Sequence, residues 1–150
     1  MNSDFSDLLQ LFEKHAVKYL IVGGYAVIHH AQPRFTKDLD LWLEPTADNA
    51  KKAANALREF GVPLIEITEA DLAQEGTQFM IGRSPSAIDF LTSVPGLQFT
   101  DCWLKHVCTD DLGFTVHYVS RNDLIVSKQT AGRLQDHADI EELRRAEELE

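Results

Sequence analysis

Apolar residues recur along this chain at two periods. Phe5, Leu8, Leu9, Phe12 and Ala16 fall three and four apart, which predicts an amphipathic helix over 4–16 with Ser3 or Asp4 as its N-cap. Tyr19 to Val22 is a continuous apolar run, a short buried strand. Gly23 and Gly24 turn the chain into a short helix over 25–30, and 33–37 reads as a loop. From Asp38 to Glu44 the pattern alternates. Side chains alternate across a strand, so Leu39, Leu41 and Leu43 are expected on the core face, with Asp38, Asp40, Trp42 and Glu44 on the other. Ala50, Ala54, Leu57 and Phe60 mark a helix over 47–60, ended by Gly61 and Pro63. Extended segments are expected at 64–67, 77–82 and 86–92, then a short helix near 100–106 and a strand over 114–119. Ser120 and Asp123 have the S-x-x-D spacing of a capping box, opening a helix through Arg133, and a last polar helix covers 135–148. Strands alternate with helices early and succeed one another later. That order predicts an α/β (α+β) fold, a mixed β-sheet with helices packed on it.

Composition narrows the function classes. A chain of 150 residues with 44% hydrophobic and 25% charged residues is expected to be one domain, 1–150, with the helices over 120–148 docked on it. The net charge of −10 argues against a non-specific nucleic-acid binder, though not against a local basic cleft. No apolar run is long enough to cross a bilayer, and MNSDFSDLLQ is acidic, so neither a membrane span nor a targeting segment is expected. Cys102 and Cys108 have no second pair of cysteines for a zinc site and read as reduced thiols of a cytoplasmic protein.

The chemistry concentrates in YLIVGGYAVIHHAQPRFTKDLDLWLE. An isolated D-x-D on an alternating strand is most simply a polar outer face. Here a strand–Gly–Gly–helix unit precedes it. The first turn of such a helix presents free N–H groups and a positive dipole end, and glycine lets a phosphate approach the backbone. A phosphate cradle beside paired carboxylates is what a nucleoside triphosphate with Mg²⁺ requires, since Mg²⁺ binds through hard carboxylate and phosphate oxygens. Asp89, in SAIDFLT, is a third acid within an apolar strand. It is either a hydrogen-bonded buried acid or a third ligand beside Asp38 and Asp40.

The ordered set of GG, R-x-T-x-D-x-D, I-D-F and K-x4-R-x2-D resembles the nucleotidyltransferase fold, in the compact group of minimal nucleotidyltransferases and toxin-type AbiEii-like enzymes. IDFLTSVPGLQFTDCW and VSRNDLIVSKQTAGRLQDHADIEEL extend the resemblance over about residues 18–145. It implies a metal-dependent transfer of a nucleoside monophosphate from an NTP to an acceptor hydroxyl on an RNA, a protein or a small molecule, possible within a toxin–antitoxin pair. Asp38, Asp40 and Asp89 would be catalytic and hold Mg²⁺ (or Mn²⁺). Gly23, Gly24, Arg34, Thr36, Lys37 and Lys128 would bind the nucleotide. Many members carry Gly-Ser where this chain has Gly23-Gly24, so the backbone donors must suffice. The alternative is a nucleotide- or protein-binding module that kept the fold and lost turnover. A partner protein or self-association is expected to complete the acceptor site. Arg133, Asp136 and Asp139 are read as pairing with one another, His29 and His30 as packing residues, and Ile140, Leu143 and Ala146 as the buried side of a docked tail helix.

Overall fold

The computed structural model describes residues 1–150. Seven helices surround one six-stranded mixed sheet of order β3-β4-β2-β1-β6-β5. The strands are β1 (Tyr19–Val22), β2 (Leu39–Leu43), β3 (Gln78–Ile81), β4 (Ile88–Leu91), β5 (Val107–Thr109) and β6 (Val116–Tyr118). Central β1 runs antiparallel to β2 and parallel to β6. β4 lies parallel to β2, and the outer strands β3 and β5 are antiparallel to their neighbours. No helix is long and apolar enough to cross a membrane.

The apolar pattern explains the layering. Helix α1 (Ser3–Lys14) buries Phe5, Leu8, Leu9 and Phe12, and Phe12 packs on Tyr19 of β1 and Phe90 of β4. Helix α3 (Ala47–Phe60) packs beside α1 with an alanine-rich face, Ala50, Ala53, Ala54 and Ala56, that lets it lie close. Leu41 is in register with Phe90, so this face of the sheet is core. The opposite face carries Asp40, in register with Asp89, and then Trp42, in register with Leu91. Trp42 is therefore on the face the alternation predicts, yet it is fully buried. Helix α5 (Phe99–Lys105) covers it through an edge-on contact with Phe99. Helices α6 (Arg121–Ala131) and α7 (Leu134–Glu148) pack on each other and on α2 (Gly23–His30).

Several boundaries depart from the sequence reading. The N-cap of α1 is Asn2, whose side chain accepts from the Asp4 N–H at 2.7 Å, and the helix ends at Lys14. Gly23 and Gly24 are the first residues of α2 itself. Ser120 accepts from the Asp123 N–H, but Asp123 does not return the bond. Its carboxylate takes the Lys105 ammonium at 3.1 Å instead. Residues 64–67 form no strand: 65–67 line a cavity shared with β3, and that outer strand is left unpaired on its far side. Two short elements escape periodicity, α4 (Glu69–Leu72) and β5, because three or four residues cannot display a period. His29 stacks on Tyr118 and His30 bonds the Val119 carbonyl, so both are packing residues.

Candidate active site

Asp38, Asp40 and Asp89 meet at one end of the sheet. Strand register does this: β2 and β4 run parallel with Asp40 opposite Asp89, while antiparallel pairing sets Val22, the residue before the glycines, opposite Asp40. Asp38 precedes β2. Its carboxylate accepts from the Ser84 hydroxyl at 2.8 Å and the Ala87 N–H at 3.2 Å, which orients it. Asp89 accepts from the Gln78 side-chain amide at 3.0 Å through one oxygen, and its other oxygen, Oδ1, is buried without a partner.

Electrostatics reflect that crowding. Burial pushes the Asp40 carboxyl up to about 6, and the charges of Asp89 and Asp38 add to the rise, against opposing help from Lys128 and Arg133. Asp89 is raised by burial, partly offset by its bond from Gln78. An unpartnered carboxylate oxygen in such a place is expensive unless a cation meets it. The donors are all hard carboxylate oxygens, so the set fits Mg²⁺ or Mn²⁺.

The glycines are where side chains need space. Gly23 has φ +69°, and a Cβ there would stand 2.2 Å from Asp40 Oδ2. A Cβ on Gly24 would stand 2.2 Å from Thr36 Oγ1 and 3.2 Å from an Arg34 nitrogen. Only glycine lets the first turn of α2 lie against both Asp40 and the loop that follows the helix and leads into β2. No side chain caps that turn.

Two cavities flank Asp40. One, of about 320 Å³, has a wholly polar wall that includes Gly23, Gly24, Arg34, Thr36 and Asp38. The other, of about 470 Å³, includes Asp89 and Gln78 together with Leu91, Val94 and Leu124. Asp40, Lys128 and Arg133 belong to both walls. Lys37 does not join them; its side chain is exposed and lines neither cavity. Lys128 reaches the cleft but is already bonded to Asp139 at 2.8 Å and Asp136 at 3.4 Å. Asp139 also takes Arg34, and Asp136 takes both the backbone N–H and the guanidinium of Arg133. Gln78 and Ser84 were not legible beforehand. Each meets its acid through tertiary pairing, and neither sits in a motif.

The mixed sheet, with two in-register acids on adjacent strands beside a glycine-led helix, is the arrangement expected from the resemblance to the nucleotidyltransferase fold. Among solved structures, the lincosamide antibiotic adenylyltransferase LnuA, in its lincomycin-bound form, matches with a TM-score of 0.60 and 17% identity over 96% of each chain. That likeness establishes the shared fold. No protein-family model matches the chain and no curated protein matches it, so the narrower resemblance to the AbiEii-like group has no family match behind it.

Proposed function

We propose that this chain is a metal-dependent nucleotidyltransferase, moving a nucleoside monophosphate from an NTP to an acceptor hydroxyl with release of pyrophosphate. The observation that carries the reading is the convergence of three carboxylates, one with a buried oxygen that has no protein partner. Mg²⁺ or Mn²⁺ held by Asp38, Asp40 and Asp89 would neutralise the triphosphate and make the acceptor hydroxyl easier to deprotonate. Gly23 and Gly24 would donate backbone N–H groups to phosphate oxygens at the positive end of α2. The polar cavity, with Thr36 and Arg34 on its wall, suits the phosphates. The larger cavity, partly apolar, suits the nucleoside and the acceptor. Lys128 and Arg133, on both walls, would place positive charge beside the scissile bond.

A small-molecule acceptor is the class we favour. A cavity of about 470 Å³ is of small-molecule size, and a net charge of −10 works against holding an RNA end. The LnuA neighbour is by its description a lincosamide antibiotic adenylyltransferase, with lincomycin bound. An RNA or protein acceptor, as a toxin of a toxin–antitoxin pair would use, is the competing class. Incubation with each α-labelled NTP, Mg²⁺ and fractionated cell extract separates them, since label appears in the small-molecule, RNA or protein fraction. Asp89→Asn should abolish labelling and leave NTP–Mg²⁺ binding largely intact. Binding without label in any fraction would point to the non-catalytic module, favoured by the fact that Lys128 and Arg34 are already paired with acids. Absence of NTP binding would overturn both readings.

A further inference from the structure

His106, Cys108 and His117 come together away from the acidic cleft. Cys108 and His117 face each other across the β5–β6 ladder, and His106, at the end of α5, stands two residues before Cys108, hence on the same side of the extended chain. His106 Nε2 is 2.9 Å from His117 Nδ1, and Cys108 Sγ is 3.3 Å from each of those nitrogens. A tetrahedral zinc ion, with bonds of about 2.0–2.1 Å to nitrogen and about 2.3 Å to sulfur, sets its ligand atoms about 3.4–3.6 Å apart. The three atoms need to open by only a few tenths of an ångström.

The outer contacts of both rings aim the right atoms inward. The other nitrogen of His106 bonds the Trp103 carbonyl, which can only accept, so His106 carries its proton on Nδ1 and presents a lone pair at Nε2. The other nitrogen of His117 lies 3.7 Å from the Glu13 carboxylate, a neighbour that favours N–H on Nε2 and a lone pair at Nδ1 without a direct hydrogen bond. In that tautomer both facing nitrogens, 2.9 Å apart, offer lone pairs to a shared cation, whereas without a cation His117 can donate Nδ1–H to His106. A carbonyl or carboxylate behind each ligating imidazole is how metal-binding histidines are held. Trp103 stacks on His106 and Tyr19 packs edge-on against His117, which holds the rings in place.

We propose that these three side chains form a second metal site, for a borderline or soft divalent ion with zinc as the best fit. Two imidazoles and a thiolate are poor ligands for Mg²⁺ and good ones for Zn²⁺. Binding replaces the Cys108 thiol proton, which is released to solvent as the S–metal bond forms. Cys108 is exposed, so the fourth position faces water. The ion would clip the end of α5 and the edge hairpin together, and Glu13 would tie α1 to them. None of the three ligands lines either cavity around Asp40, so the site is separate from the proposed catalytic metal.

The test uses untagged full-length protein, freed of metal by a chelator and titrated with Co²⁺. The expected result is one equivalent giving a thiolate-to-cobalt charge-transfer band and tetrahedral d–d bands, both erased by Zn²⁺. Cys108→Ser should remove the charge-transfer band and weaken Zn²⁺, read by competition with a chromophoric chelator, by at least about tenfold. Glu13→Gln should weaken it by about 10-fold, the lower end of what removing such an outer partner costs. Asp40→Asn should leave the cobalt spectrum unchanged, which separates this site from the acidic cleft. In the wild-type chain, Zn²⁺ but not Mg²⁺ should protect Cys108 from alkylation, a readout that does not depend on any variant folding. A cobalt complex without the thiolate band, a band that survives Cys108→Ser, or alkylation unaffected by Zn²⁺ would overturn the proposal.

Discussion

At Asp40 the fold holds a carboxylate against its own electrostatics. The ordinary value of 3.8 rises to about 6, chiefly through burial. Between those values the folded chain keeps a proton that the unfolded chain has released, so stability falls as pH rises through the window and the full cost is present above it. The cost is on the order of 2–3 kcal/mol, taking roughly two units at about 1.36 kcal/mol each. Asp40→Asn is therefore expected to raise the metal-free melting temperature at pH 7 by several degrees and to have little effect near pH 4. Thermal melts of both proteins in chelator across pH 4–7 check this; a difference that does not grow with pH would refute it. At Gly24 the constraint is space. Gly24→Ala should displace Thr36 and Arg34, which a Cβ would meet at 2.2 and 3.2 Å, and weaken NTP binding with little loss of fold, because the backbone there needs no positive φ. Titration of a folded variant with NTP and Mg²⁺ measures it, and unchanged affinity would make the glycine merely structural.

Elements α6 and α7 are locked by charge as much as by apolar contact. Lys128 is buried on α6, Asp136 and Asp139 are buried on α7, and Arg34 joins them from the loop before β2. Removing the ammonium leaves two buried carboxylates short of a partner, a kind of loss that costs about 3–5 kcal/mol when a buried pair is broken. The remaining partners Arg34 and Arg133 soften it, so Lys128→Met should cost roughly 3 kcal/mol, read from denaturant midpoints. Adding Asp139→Asn should recover part of that loss. If Lys128 acts only on nucleotide, stability will not change and affinity alone will fall.

Across the whole molecule, the candidate site is a meeting of three chain regions: residues 22–40, strand β4 and the junction of α6 with α7. β2 and the residue before it bring Asp40 and Asp38, β4 brings Asp89, the start of α2 lies beside them, and Lys128 of α6 and Arg133, the N-cap of α7, bring the cations. A ligand that bridges them stabilises the folded state by about 2.7 kcal/mol at a hundred times its dissociation constant. That corresponds to a melting shift of several degrees for a chain of this size, at about 2–4 °C per kcal/mol. The shift is expected with NTP plus Mg²⁺ and absent with NTP in chelator, because three clustered acids repel an unescorted triphosphate. Equal shifts with and without metal would count against the acids as metal ligands.

Local chemistry determined the elements that repeat a period and the residues tied to them. The amphipathic α1 and α3, the alternating β2, the glycine pair before it and the D-x-D are all legible because each depends on neighbours within a few residues. The sequence also singled out Asp89 as a partly buried acid, since a charge among Ala87, Ile88, Phe90 and Leu91 has to be accounted for, and the structure leaves it half-buried. Strand register decided the rest. Asp40 lies opposite Asp89 because β2 and β4 pair in parallel across a long connection, and no local pattern encodes that pairing. The same holds for the Gln78 bond to Asp89 and for α5, which packs Phe99 edge-on against the buried Trp42. It holds most clearly for His106, Cys108 and His117. The cysteines alone show no metal-binding spacing, and His106 and His117 become partners of Cys108 only when the short edge strand β5, which no period announces, pairs with β6.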